Sequence, residues 1–214
     1  MKIYGRMSSI NVQKVTWCLG EMGLVPGQDY ERIDAGLHFG VNNTDEYKAM
    51  TPTALVPTLV EDDGFVLWES NAIVRYLVAT RESKGLWPAD VQLRASADRW
   101  MDWSISDLWP ALRVTFIGMT RTPEDKRDMK AIRAGYEEGS RLVGGLQQYL
   151  ERHAFVASDD FTVGDIAAGV AVHRWFGMAE QFPEATGPRP EFAAVTDWYR
   201  NRIATRPAFQ ACLG

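Results

Sequence analysis

Cysteine is scarce in this chain: Cys18 and Cys212 lie near opposite ends, with no C-x-x-C between them. That excludes a disulfide framework and gives no pattern for a cysteine zinc site; a reducing compartment fits. Positive charge is also in deficit, 23 basic against 28 acidic side chains for a net charge of -5. A chain without a broad positive field is a poor candidate for nucleic acid or an anionic bilayer. No apolar run is long enough to span a membrane, and Met1-Lys2-Ile3-Tyr4 leads into fold-like sequence rather than a signal peptide. These absences point to the cytoplasm. What remains, 46% hydrophobic and 24% charged residues over 214 positions, suffices for one large or two small folded domains.

The order of periodicities suggests two domains. Lys2 to Tyr4 reads as a strand ending at Gly5. Val12, Val15, Leu19 and Met22 then form one helical face, closed by Gly23. Tyr30 to Asp34 reads as a second strand, so the crossover makes a parallel pair. Residues 35–50 read as loop, with at most a short helix over Asp45 to Met50. Thr58 to Glu61 and Phe65 to Trp68 flank Asp62-Asp63-Gly64, an antiparallel hairpin signal. Ser70 is expected to cap a helix carrying Ile73, Val74, Leu77 and Val78. Residues 1–80 therefore predict a thioredoxin-like α/β domain, β-α-β then β-β-α, with a four-stranded mixed sheet.

Lys84-Gly85-Leu86-Trp87-Pro88 breaks the pattern, so 81–88 reads as a linker and 89–214 as an all-helical domain. Its first helix carries Leu93, Ala97, Trp100, Met101, Leu108 and Leu112, with Pro110 expected to kink or shorten it. A second is predicted from Pro123 to Glu151 and a third from near Thr162. A fourth carries Phe192, Val195, Trp198, Tyr199 and Ile203 and is expected to stop before Pro207. Thr162 and Asp165 have capping-box spacing, a folding role whose loss is expected to cost about 1 kcal/mol.

Several segments have chemical meaning of their own. Pro57 enters a strand as a residue that cannot donate to the ladder. Glu69 and Ser70 stand at a helix start, where free N–H groups and the helix dipole attract a carboxylate; equally, Ser70 serves as a plain cap and Glu69 as a favourable first-turn acid. The loop before the first helix offers the hydroxyls of Ser8 and Ser9 and the amide of Asn11. Tyr4 reads as core or site wall, and Cys18, mid-helix, as a buried small apolar residue.

Val56-Pro57-Thr58-Leu59 before the hairpin, with Trp68-Glu69-Ser70-Asn71-Ala72-Ile73 after it, resembles the glutathione transferase family. The likeness extends to Leu86-Trp87-Pro88, to Phe161-Thr162-Val163-Gly164-Asp165 and to Arg206-Pro207-Ala208, and so covers nearly the whole chain. It implies glutathione as co-substrate, no metal, a homodimer, and attack of a bound thiolate on apolar electrophiles. It also implies a cis Val56-Pro57 bond presenting the Val56 N–H and C=O to the tripeptide as an added strand would; the plain alternative is a trans proline at a strand start. Glu69 would face the ligand's ammonium group, and Ser70 and the helix start its carboxylate.

Ser9-Ile10-Asn11 resembles the Ser/Thr-x-Asn pattern of bacterial members, making Ser9 the expected thiol activator, with Asn11 as second donor and Ser8 as rival. A free thiol of pKa about 8.5 is only a few per cent ionised at neutral pH; lowering it by about two units, roughly 2.7 kcal/mol, makes the thiolate dominant. His38 lies where relatives place a basic group near the glycyl carboxylate, or is an exposed loop histidine. Asp102 would reach a partner's glutathione. Met7, Trp103, Trp109, Arg113 and Phe116 would wall the acceptor pocket, though the helical ones suit a bundle core equally. Leu55 stands where many relatives carry lysine or glutamine, Thr51 replaces a common asparagine and Gly164 a common alanine, so one ligand contact is missing or supplied elsewhere. Two further readings fit the same pattern, a glutathione-dependent disulfide reductase and a non-catalytic binding or assembly module.

Overall fold

A computed structural model describes residues 1–213 as two compact units, one formed by Met1–Trp87 together with the segment from Arg206 on, the other by Pro88–Thr205. The first unit begins with β1 (Lys2–Tyr4), α1 (Ile10–Glu21) and β2 (Glu31–Ile33). Two single 3-10 turns, Leu37–Phe39 and Val41–Asn43, lead into α2 (Asp45–Met50). Strands β3 (Thr58–Val60) and β4 (Val66–Trp68) and helix α3 (Ser70–Thr80) complete the predicted order. The sheet runs β2-β1-β3-β4, with Ile3 opposite Arg32 in the parallel pair and opposite Leu59 in the antiparallel one. Ile3, Leu59, Val12, Val15, Ile73 and Leu77 are fully or almost fully buried, joining the sheet to α1 and α3 as the two periodicities require.

The helical unit contains α4 (Val91–Trp103), α5 (Trp109–Thr120), α6 (Met129–Leu150), α7 (Val163–Gln181), the single turn α8 (Pro183–Thr186) and α9 (Ala193–Asp197). The helix expected to carry Leu93 through Leu112 is cut short, as Pro110 predicted: α4 ends at Trp103. The proline occupies the first turn of α5, after the π-helical turn Ser104–Leu108 in which the Trp109 N–H reaches back to the Ser104 carbonyl. A first-turn proline loses no intrahelical bond, and the wide turn absorbs the change of register. The expected helix from Pro123 instead opens as a 3-10 turn, Glu124–Lys126, and α6 starts only where the Asp128 carboxylate accepts the Ala131 N–H at 3.0 Å. Tight approach of α5 and α6 requires glycine: a Cβ on Gly135 would meet the Ala111 carbonyl oxygen at 2.8 Å.

The fourth helix stops before Pro207 as expected, its π-helical continuation ending at Ile203, and one further helix follows. That proline opens α10 (Pro207–Leu213), which belongs to the first unit and packs on α1. Phe209 meets Trp17 edge to face at 5.0 Å, and Arg206 clasps the Glu21 carboxylate with two bonds of 2.7 Å. Proline fits the first turn of a helix as well as it ends one, so the sequence signal was two-sided.

Asp165 does more than cap. One carboxylate oxygen accepts the Val156 N–H and the Trp198 indole N–H, both at 3.0 Å; the other accepts the Thr162 N–H at 2.9 Å and its hydroxyl at 3.2 Å. The side chain is fully buried, and burial pushes its pKa up to about 6 against these donors, leaving it ionised at neutral pH. Each donor stranded in the core costs about 1–3 kcal/mol, well beyond the single-cap figure. Asp165→Ala should therefore lower the unfolding free energy by roughly 3 kcal/mol or more in urea titrations, and a loss near 1 kcal/mol would show that only the cap matters.

Candidate functional site

The site is assembled where α1 and α3 begin. Ser9 precedes α1 in an extended conformation (φ -87°, ψ 120°), donates its N–H to the Arg6 carbonyl at 3.1 Å and accepts the Gln13 N–H at 2.9 Å on its own carbonyl. Its hydroxyl caps none of the helix N–H groups and has no partner among the described residues, though the residue is only 8% exposed. A serine at this position ordinarily spends its oxygen on the second or third N–H of the helix. Here that oxygen is left for something else. Ser8, one residue earlier, is an exposed turn residue.

Asn11, in the first turn of α1, accepts the Ser70 hydroxyl on Oδ1 at 3.4 Å, bridging the two helix beginnings. The cap of α3 is Glu69 rather than Ser70, which is already helical. Glu69 sits at φ 71°, ψ 113°, a left-handed conformation that costs a non-glycine residue of order 1–3 kcal/mol and clusters at ligand sites. Its side chain is exposed, while Ser70 is buried.

Sequence reasoning missed Lys14. The side chain is 3% exposed and donates from Nζ to Asn71 Oδ1 at 3.1 Å, a second tie between α1 and α3. Burial pulls its pKa down to about 7, opposed by the Glu69 carboxylate and helped by the Arg75 charge. The available signal was a lysine inside the apolar stretch of α1. Tyr47 was missed as well: its hydroxyl donates to the Leu55 carbonyl at 2.7 Å and lies 2.8 Å from Thr58 Oγ1, clamping both sides of Val56-Pro57. That bond is cis, as the resemblance implied, and the Val56 N–H and C=O have no hydrogen-bond partner among the described residues.

The other expected residues are dispersed. His38 is exposed in a 3-10 turn with its ring 4.1 Å from that of Phe39, and Tyr4 meets Tyr47 edge to face at 5.7 Å. Cys18 is fully buried, and burial drives its thiol up to about 12, so it is inert. Met7 lines a cavity of about 430 Å³ within the first unit, beside Thr16, Tyr30, Arg32 and Cys212. In the helical unit, Asp102 is exposed on α4, and Trp103 lines a cavity of about 420 Å³ with Trp100, Arg99 and Arg141. Trp109, Arg113 and Phe116 share a face of α5, the two rings 5.8 Å apart. Among the described residues no group of histidine, cysteine or carboxylate side chains could hold a metal ion, and no helix is long and apolar enough to cross a membrane.

Comparison with known proteins bears on this arrangement. The family model for the glutathione S-transferase N-terminal domain matches residues 8–80. The chain is 39% identical over 207 residues to glutathione S-transferase GstB of Escherichia coli K12, covering 96% of this chain and 94% of that one. Over 98% of its length it is 29% identical to glutathione S-transferase 3 of Zea mays, 91% of which is covered. A theta class glutathione S-transferase from Xanthomonas axonopodis pv. citri, solved with glutathione bound, superposes with a TM-score of 0.87 at 38% identity, over 99% of this chain and 95% of that one.

Lys14 gives this site a testable pH signature. A lysine whose folded pKa lies near 7 and whose unfolded pKa lies near 10.4 binds fewer protons when folded, so its contribution to stability is lost as pH falls through about 7 and complete only above about 10. The unfolding free energy of the wild type should rise between about pH 7 and pH 10 relative to that of Lys14→Met, measured by denaturant titration at stepped pH; parallel curves would contradict the burial of an ionisable amine here.

Proposed function

Because the chain belongs to the glutathione S-transferase family, we propose that it binds glutathione across the starts of α1 and α3 and that Ser9 turns the bound thiol into a thiolate for attack on an electrophilic carbon. The observation that carries this reading is the Ser9 hydroxyl, uncommitted to its own helix yet held in a nearly buried position at that helix's N-terminus. A hydroxyl donor and a helix dipole both favour S⁻ over SH, and together they can supply the roughly 2.7 kcal/mol that a two-unit pKa shift demands. Asn11 acts as second donor and ties Ser9's helix to Ser70.

The unpaired Val56 N–H and C=O suit the central peptide of glutathione, as in strand addition. The α3 N-terminus suits its γ-glutamyl carboxylate, and Glu69 its ammonium group. His38 serves the glycyl carboxylate as a donor from its exposed turn. Glutathione loses its thiol proton, the sulfur forms a bond to carbon and the leaving group departs with its electron pair. The protein contributes orientation and charge stabilisation. For the acceptor the candidate residues are Trp103, Trp109, Arg113 and Phe116 of the helical unit, with Met7 a separate candidate in the first unit. The enzyme works in the cytoplasm as a homodimer in which Asp102 reaches towards the neighbour's glutathione.

Ser9→Ala should lower kcat/KM for conjugation about 100-fold and abolish the thiolate absorbance of bound glutathione, while Ser8→Ala stays within about threefold of wild type. The reverse ranking would move the role to Ser8. Full activity in both variants would remove serine activation from the mechanism.

A further inference from the structure

The face of α5 carries a feature that no step above uses. Two guanidinium groups approach the Phe116 ring: Arg174 of α7, with Cζ 4.7 Å from the ring centroid, and Arg121 at the end of α5, with Cζ at 5.7 Å. Arg113, three residues before Phe116, adds a third positive charge to the same helical face. Among the described residues none of these three arginines has an acidic partner. The Nε N–H of Arg174 is buried and meets no acceptor. Burial first, then the nearby charge of Arg121, pulls the Arg174 pKa below the ordinary guanidinium value.

Such an arrangement costs folding free energy and returns little of it. A half-buried guanidinium remains protonated, and two like charges facing one ring repel. Cation–π contact offsets part of this, but the unmet Nε donor and the absent counter-ion remain. An anion supplies what is missing: charge for Arg174 and Arg121, acceptor oxygens for planar donors whose fork matches a carboxylate, and an aromatic surface at Phe116 and Trp109 for the rest of the molecule.

We propose that Arg174 and Arg121, both against the Phe116 ring, form a subsite for the acidic group of the acceptor, so that this enzyme favours electrophiles carrying a carboxylate or similar anion over neutral ones. The inference rests on the reading that the acceptor lies along this face of α5, and it narrows the acceptor class from apolar to amphiphilic and anionic.

The test compares two acceptors that differ only in charge, para-chloro-meta-nitrobenzoate and its methyl ester. In both, the glutathione sulfur bonds to the chlorine-bearing carbon, the C–Cl bond breaks, chloride leaves with the electron pair and the thiol proton goes to solvent. Rates are normalised to the uncatalysed reaction of each compound. Arg174→Gln should raise KM for the acid about tenfold and leave kcat/KM for the ester within about twofold, with Arg121→Gln showing a smaller shift of the same kind and Arg174→Lys retaining part of the preference. Equal losses on acid and ester, or an unchanged KM for the acid, would overturn the subsite.

Direct binding separates failure of this idea from failure of the transferase reading. Calorimetric titration of the folded variants with meta-nitrobenzoate, which has no leaving group, requires no turnover. Binding that weakens in Arg174→Gln supports the subsite even if neither acceptor reacts. Absent binding, or binding indifferent to both arginines, refutes it even if conjugation proceeds.

Discussion

The Ser70–Asn11 hydrogen bond brings together two helix N-termini that electrostatics alone would keep apart. Each helix start presents unpaired N–H groups and about half a positive charge, and Lys14 adds an amine beneath them. Two side-chain ties, Ser70 to Asn11 and Lys14 to Asn71, hold these like-signed ends in register. The result is a site whose field is positive before any ligand arrives, with the Glu69 carboxylate as a local counterweight. An anionic peptide bearing one ammonium group matches that distribution of charge.

The strain at Glu69 follows from the same constraint. The turn from β4 into α3 must present the α3 N-terminus outward within a single residue, and the left-handed conformation at Glu69 makes that turn. Its cost, of order 1–3 kcal/mol, is borne by the buried contacts of α3, where Ile73, Val74, Leu77 and Val78 are all buried. Tyr47 performs a comparable service opposite, fixing the backbone around Val56 so that its N–H and C=O stay unpaired. Rigid neighbours hold the binding groups in place, which reduces what must be ordered when a ligand enters.

Much of this was legible because local rules and global fold agree. The β-α-β and β-β-α orders, the Asp-Gly hairpin and the apolar stripe of α3 all followed from spacing. What escaped did so for definable reasons. Spacing alone cannot distinguish a cap from a first helical residue, so Ser70 was read as the cap where Glu69 is. Pro207 marked the end of the preceding helix, but the helix it opens was not visible in spacing and is held by the packing of Phe209 on Trp17. Lys14 drew no notice because its partner Asn71 is remote in sequence. The four donors around Asp165 come from three separate segments, so the sequence reveals only the one nearest to it.

The two units differ in how they treat charge. In the first, Lys14 beside the site has Asn71 and Glu69, and elsewhere in the unit Arg206 has Glu21 and Arg32 has Asp34. The side-chain charges there are thus held in pairs, and the positive field that a ligand meets comes from the two helix starts. On the α5–α7 face of the second unit the balance is missing: Arg174 and Arg121 converge on Phe116, and among the described residues no carboxylate answers them, in a chain whose net charge is -5. With 28 acidic side chains available, no shortage of acids explains the gap. An unmet, partly buried charge destabilises the free protein by some amount and strengthens whatever later satisfies it, so this face trades stability for selection. As proposed, activation of the thiol and choice of its target rest on different physics: helix dipoles and hydrogen bonds in one unit, an uncompensated pair of guanidinium groups in the other.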